Sequence, residues 1–394
     1  MADVVGYVFP NEHHIHWSLM IVTYPYITGI IAGAFIVSSL YHVFHVKALK
    51  PVSRFALIFA LSFGICCTWP LLNHLGHPER CFNIMLTPHP TSAMAGFGYV
   101  YSTYMIILLL EILFIYRAVF ARLLPQTTGF KATLYRALTF GNTDLSPATL
   151  RFDHKVTSWL ALIGIPMACV LHGYVGFIFG GVKAVHWWLT PLMPVIFLLS
   201  ACVSGIAGII LGYLLVQWWK RRPVDEECLS TLVKYLWGFL ILDVVLELLD
   251  LGVHAYLRVE SWHVLEHLIS GPLFTSFIVM QILIFSFIPL VILGVLTLAN
   301  VRGKALQILA TLSAVMLLIQ VYCMRWNVVI GGQMVSKSGR GYTFYHPGFF
   351  EKEGILPTIL ILLAPVIILF FLAKVFPLWM TEEGQNPQPI KNFN

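Results

Sequence analysis

Long apolar runs alternate with short polar stretches along the whole chain. Nine runs stand out, at about residues 17–44, 53–73, 95–118, 155–180, 189–218, 230–256, 270–298, 304–325 and 355–377. Each reaches the roughly 20 apolar residues that a helix needs to cross a bilayer. Only helices or closed barrels satisfy their backbone groups in lipid. Barrel strands alternate apolar and polar positions over about ten residues, and these runs do not. The pattern therefore predicts an all-α integral membrane fold of about nine spans. The first 16 residues hold no Lys or Arg, and the first run outlasts the h-region of a signal peptide, so it reads as a true span.

Basic residues set an orientation, because Lys and Arg collect in cytoplasmic loops. The connections after the first, third, fifth and seventh runs hold fifteen of them: Lys47, Lys50, Arg54, Arg117, Arg122, Lys131, Arg136, Arg151, Lys155, Lys220, Arg221, Arg222, Lys234, Arg302 and Lys304. The opposite side holds seven: Arg80, Lys183, Arg258, Arg325, Lys337, Arg340 and Lys352. The expected arrangement is N-terminus outside and C-terminus inside. Four of the seven follow the eighth run, an exception to the pattern that a docking surface for a partner would explain. Two four-helix bundles are expected, over residues 1–185 and 186–335. Residues 336–394 would supply an outer loop, one more spanning helix and a cytoplasmic tail. Gly29, Ala32 and Gly33 on the first run, and Gly205, Gly208 and Gly212 on the fifth, would let helices approach closely.

Composition sharpens this reading. Hydrophobic residues make up 58% and charged residues 11%, against about 25% charged in soluble domains. That excludes an ordinary soluble enzyme, a nucleic-acid binder and a disordered chain. The net charge of +6 follows the orientation signal rather than marking a patch for nucleic acid. None of the seven cysteines forms a C-x-x-C or C-x-x-C-H motif. This argues against a zinc site, a cysteine-held iron–sulfur cluster and a covalently attached haem. No intrinsic metal cofactor is expected, so metal centres would sit on partners. Phosphate-loop, H-E-x-x-H and G-x-S-x-G motifs do not occur.

Ionisable residues inside spans are costly and usually functional. One group gathers at the outer ends of the first four runs: Asn11, His13, His14, His16, Tyr24, Tyr26, His74, His77, Tyr99, Tyr101, Tyr104, His172 and Tyr174. Histidine and tyrosine donate and accept hydrogen bonds, and histidine exchanges a proton near neutral pH. A quinone needs hydrogen bonds at its carbonyls, a proton route and an apolar slot, and such a cluster can supply all three. The plainer reading is interfacial, since tyrosine is enriched at headgroup depth; it covers about half of the group. His172 and His16 are the hardest to explain that way. The second group is Asp243, Glu247, Asp250 and His254, at offsets of 4, 7 and 11, which form one helix stripe. It reads as part of a proton relay, with Glu111 as a further buried acid and Arg325 as a counter-charge. Interhelical hydrogen bonding is the alternative. A b-haem held by His172 and His74 is a remoter possibility, and buried acids in parallel halves also suit a proton-coupled secondary transporter.

Several motifs carry a family resemblance. The run Tyr26 to Ser38 (Y-I-T-G-I-I-A-G-A-F-I-V-S) resembles the first helix of the NrfD/PsrC-type membrane subunits of polysulfide- and nitrite-reductase-like complexes. The corner His74-Leu75-Gly76-His77-Pro78-Glu79-Arg80 is similar to that family's L-G-x-P-x-R, and is followed by Pro90, Ser92, Met94 and Gly96. Trp187, Pro194, Phe197, Ser200 and Gly205 match the entry into its fifth helix. Arg325 to Gln333 (R-W-N-V-V-I-G-G-Q) matches the end of its eighth. Each motif alone is weak; four in order are fairly specific.

The resemblance implies a subunit of a quinone oxidoreductase complex rather than a self-sufficient enzyme. Menaquinol or menaquinone would be the substrate. The electron partner would be a periplasmic, ferredoxin-like iron–sulfur subunit, with a multihaem cytochrome c and other membrane and cytoplasmic subunits as further partners. It implies pocket roles for His13, His14, His16, His74, His77 and Arg80, proton movement through the bundles, and a prokaryotic cytoplasmic membrane. The ninth span departs from the eight of the smallest members and resembles the longer branch of sulfur-metabolism complexes typified by DsrP.

Overall fold

Single side chains set several helix starts. Ser18 Oγ accepts from Met20 N at 3.2 Å, Ser146 Oγ from Thr149 N at 3.4 Å, and Asp225 Oδ1 from Cys228 N at 3.0 Å. These caps satisfy N–H groups that a first helical turn leaves open. Pro147 stands just after Ser146, where a missing N–H costs nothing. Beside this cap, Asp144 accepts from Thr149 and Ser146, and those bonds hold its carboxyl below the usual carboxylate range.

The computed structural model describes residues 4–5, 14–89, 91–258, 262–335 and 341–379. Nine long helices occur among them: α1 (Leu19–His42), α2 (Lys50–Cys66), α3 (Ala93–Leu123), α4 (Pro147–Gly180), α5 (Met193–Trp219), α6 (Glu226–Leu257), α7 (Phe274–Leu298), α8 (Gly303–Trp326) and α9 (Ile355–Val375). Shorter helices, Gly129–Leu138 and Trp262–Ser270, lie in connections. Val4–Val5 pairs antiparallel with Tyr342–Thr343.

Eight helices of the described residues are long and apolar enough to cross a membrane, one fewer than the nine runs read from the sequence. The one left out is α6, which carries Lys234, Asp243, Glu247 and Asp250. Its 32 residues extend about 48 Å at the helical rise, and it packs on α5 and α7. The protein is a multi-pass helical membrane protein.

Its centre is α1 against α5, with α1 also packed on α2 and α4, and α5 on α6 and α8. In α1, 94% of the apolar window is buried, against 11% in α9. The first is a core helix; the last lies along the outside of α2 and α1. The α1–α5 contact is backbone on backbone. A Cβ added at Gly205 would lie 2.4 Å from the Cα of Gly33, and one at Gly33 would lie 2.1 Å from the carbonyl oxygen of Ala201. The glycines expected to permit close approach do so here. At the other end of the bundle, Arg117 on α3 locks α4. Its Nε donates to Asp153 at 2.7 Å, and Nη1 to the carbonyls of Asp144 and Asn142 at 2.9 and 3.2 Å.

One base changes its place in the orientation count. The helical path of α8 continues through a π-helical turn, Asn327–Gly331, as far as Met334. Arg325 is therefore a fully buried side chain, not a base of the loop beyond the helix.

Overpacking a tight core site costs about 1–3 kcal/mol, so Gly205→Ala is expected to lower the thermal midpoint of the purified protein in detergent. Gly238→Ala, whose added Cβ would meet nothing within 4 Å, should leave it unchanged. Equal midpoints for both variants would contradict this close contact.

Candidate functional site

In the interior of the bundle a set of polar groups is arranged around the guanidinium of Arg325. Arg325 Nη2 donates to Ser200 Oγ at 2.6 Å and lies 3.0 Å from His172 Nε2. Its Cζ sits 3.8 Å over the ring of Phe197, which also stacks on His172 at 5.8 Å. A desolvated cation–π contact contributes about 2 kcal/mol. Guanidinium has only donors, so His172 Nε2 must accept, and the ring is neutral with its proton on Nδ1. That Nδ1 is buried with no partner among the described residues. Room for the imidazole comes from Gly29 of α1, where a Cβ would lie 3.2 Å from His172 Cε1.

Two carboxylates share the guanidinium's field. Asp243 and Glu247 of α6 are within electrostatic reach of Arg325. Neither oxygen of Asp243 has a hydrogen-bond partner among the described residues. Glu247 accepts from Gln281 Nε2. Gln281 Oε1 in turn accepts from Asn327 Nδ2 at 2.8 Å, and Asn327 Oδ1 from Ser276 Oγ at 2.6 Å. Every donor in that chain points toward Glu247. Gln281 and Asn327 both stand on π-helical segments, Phe274–Phe287 and Asn327–Gly331. Such segments are rare and frequent at functional sites. Further out on α6, Asp250 Oδ1 accepts from Thr190 Oγ1 at 2.6 Å, and His254 Nδ1 lies 2.8 Å from the Asp250 carbonyl. Leu242, Val245, Leu249 and Val253 take the opposite, exposed face. The stripe read from the spacing is thus a real face of α6, turned inward with its apolar residues turned to lipid.

Two clefts open at the end of the bundle where α1 begins. His14 and His16 line the first, with His186, Trp187, Leu265 and Gln333. Glu247, Asp250 and His254 line the second, with His186, Trp187 and Phe277.

The expected outward cluster divides. His14 and His16 join the first cleft, and His13 lies outside the described residues. His172 belongs with Arg325. His74 pairs with Glu353 at 2.8 Å, in the connection before α9 that also contacts Ser18, Asn73 and Leu75. His77 and Arg80 are exposed around Glu79. Tyr174 donates to the Ala93 carbonyl at 2.7 Å and Tyr101 to that of Gly64 at 2.8 Å. Tyr24 packs edge-on against Phe97. The Tyr104 hydroxyl and both oxygens of Glu111, two turns along α3, are buried without partners among the described residues. His172 and His74, the pair considered for a haem, hold different partners. Among the described residues no three His, Cys, Asp or Glu side chains converge as a metal shell. Ser200, Gln281, Asn327, Thr190, Glu353 and His186 were not among the expected site residues. Gln281 and Asn327 could have been found as isolated amides inside apolar runs.

A helical membrane protein with a buried charge network and clefts at one end is the class that fold and site define. The profile of the family described as "Polysulphide reductase, NrfD" matches residues 8–337. The chain belongs to the NrfD family, and α9 lies beyond the matched region. The chain is 30% identical to a selenate reductase subunit of Mesobacillus selenatarsenatis over 323 residues, 80% of this chain and 73% of that one. It is 25% identical to a putative dimethyl sulfoxide reductase membrane subunit of Halobacterium salinarum and 21% identical to an Hdr-like menaquinol oxidoreductase integral membrane subunit of Archaeoglobus fulgidus. Each of these two alignments covers 58% of this chain and spans half the length of the relative. The protein is a membrane subunit of the oxidoreductase type.

Removing Gln281 strands both Glu247 and Asn327, and an unpaired buried polar group costs about 1–3 kcal/mol. Gln281→Leu is expected to lower the thermal midpoint clearly, whereas Gln281→Glu, protonated, keeps one donor and should lose less. Equal midpoints for Gln281→Leu and the unsubstituted protein would show that the amide chain contributes nothing.

Proposed function

We propose that this chain is the quinone-reactive membrane subunit of a respiratory reductase complex. It exchanges electrons between menaquinol or menaquinone and a partner iron–sulfur subunit on the outer face. Protons move through its interior. The observation that carries the reading is the set of ionisable groups placed between the two clefts and the bundle centre: His14 and His16 in one cleft, Asp250, His254 and Glu247 in the other, and Asp243, Arg325 and His172 farther in. Charges in a bilayer interior are retained where they serve transport or chemistry. The relative named as a menaquinol oxidoreductase subunit supports the choice of substrate.

In this reading residues 1–185 and 186–335 act as two bundles, with the N-terminus outside and α6 crossing in spite of its acids. Quinol would enter at the outer end, near His14 and His16, and reach inward toward His172, with His74, Tyr24, Tyr101, Tyr104 and Tyr174 in the surrounding half. The unpartnered His172 Nδ1–H is the kind of donor that a quinone carbonyl accepts from. The exposed corner with His77, Arg80, Phe82 and Leu86 faces the same side as the clefts and is where an iron–sulfur partner would dock. Oxidation of quinol releases two electrons and two protons. The electrons leave outward, and Glu111 and the Asp243–Asp250 stripe are the groups able to carry protons.

Loss of a proton-transfer group typically costs about 10²–10⁴ in rate. Steady-state quinol oxidation by the assembled complex should fall within that range for His172→Gln and His16→Gln, with the partner subunits still co-purifying. Unchanged turnover in both variants would sink the pocket assignment. A purified chain that moved protons in liposomes without any partner would point instead to a carrier.

A further inference from the structure

The two outer clefts share a wall made by His186, Trp187 and Leu265. One cleft holds His14 and His16; the other holds Glu247, Asp250 and His254. His186 is the one titratable side chain among the described residues that lines both. We propose that His186 is the proton carrier between them, linking the histidine cleft where quinol would be oxidised to the carboxylate stripe of α6. This deepens the function proposed above and rests on it.

Three observations support the assignment. First, the backbone carrying His186 is held in place. Trp188 stacks on Trp17 with centroids 5.1 Å apart and donates its indole N–H to the Val328 carbonyl, while Thr190 donates to Asp250 at 2.6 Å. Second, the ring itself has no hydrogen bond to any described residue. The rings of His74, His77, His172 and His254 are each tied to a partner, namely Glu353, Glu79, Arg325 and the Asp250 carbonyl. A relay imidazole must take a proton at one nitrogen and release one from the other, which requires both to be available. Third, the surroundings give direction. The N-terminal segment presents His14 and His16, and α6 presents Asp250, His254 and Glu247. The helix Trp262–Ser270 contributes apolar Val264, Leu265 and Leu268. Lys183 is the charged neighbour on the same loop. The acceptors that line the far cleft include the carboxylates of Asp250 and Glu247.

The step balances simply. Oxidation of one quinol yields two electrons, taken by the iron–sulfur partner, and two protons. His186 accepts one of those protons at one ring nitrogen and gives one from the other to the Asp250 carboxylate. It regains its starting form when the ring turns.

The test uses the whole complex reconstituted in vesicles, with a dye reporting proton movement alongside quinol turnover. His186→Ala is expected to slow turnover by about 10²-fold, the low end for a lost proton-transfer group, and free imidazole is expected to restore much of it. His186→Gln, which preserves size and hydrogen bonding, should be equally slow and guards against misfolding. Wild-type rates and proton yields in both variants would overturn the proposal. So would slowing that imidazole does not relieve in a fully assembled complex, since that marks a structural role. Failure of the broader reading looks different, because the unsubstituted complex itself would not oxidise quinol.

Discussion

A guanidinium sealed among membrane helices is the constraint around which this protein is organised. Arg325 has no exposed surface. A charge at such depth is costly, by about 3 kcal/mol even on the most lenient scale. Its donors need acceptors, and its net charge needs an opposite. Ser200 and the Phe197 carbonyl on α5, and His172 on α4, accept from Nη2. The ring of Phe197 meets the cation's face. Asp243 and Glu247 on α6 lie within its electrostatic reach. One side chain of α8 thus fixes the relation of three other helices.

The same constraint explains why α6 is the helix least suited to lipid by composition. Acids in a span are costly when they face lipid, so they face inward, within electrostatic reach of Arg325. Leu242, Val245, Leu249 and Val253 then cover the lipid side. Glu247 needs a further partner, and Gln281 reaches it from a π-helical stretch whose extra residue per turn resets which side chains face the interior. Asn327, on the second π-helical turn, completes the contact. The interior therefore carries one polar line that ends at the two clefts, apart from the buried Tyr104 and Glu111 of α3 and the Arg117–Asp153 pair.

Much of this was legible in the sequence. Apolar runs located all nine helices, because a bilayer leaves little freedom in length or polarity. Offsets of 4, 7 and 11 placed Asp243, Glu247, Asp250 and His254 on one face, because helix periodicity is fixed. Gly33 and Gly205 were readable as a close approach for the same kind of reason. Side chains at helix ends were less legible. His16, His74 and His172 all lie toward the same ends of their runs in the sequence, yet the connection before α9 takes His74 through Glu353 while Arg325 takes His172, and such long-range pairings leave no periodic trace. Arg325 was counted with a loop because the helix that buries it continues through a π-helical turn, which no residue pattern announces. His186 carried no signal at all, since its importance lies in standing where two clefts meet.

Mutual stabilisation of Arg325 and the α6 carboxyl groups across the bundle is open to direct measurement. Thermal midpoints of the assembled complex for Arg325→Gln, Asp243→Asn and the double variant test it most directly, because removing one member of a buried charge group typically costs about 3–5 kcal/mol. Arg325→Gln is expected to be strongly destabilised, and adding Asp243→Asn to recover a substantial part of the loss without restoring quinol turnover. A double variant whose destabilisation equals the sum of the two single ones would show that the charges are not coupled and would contradict it.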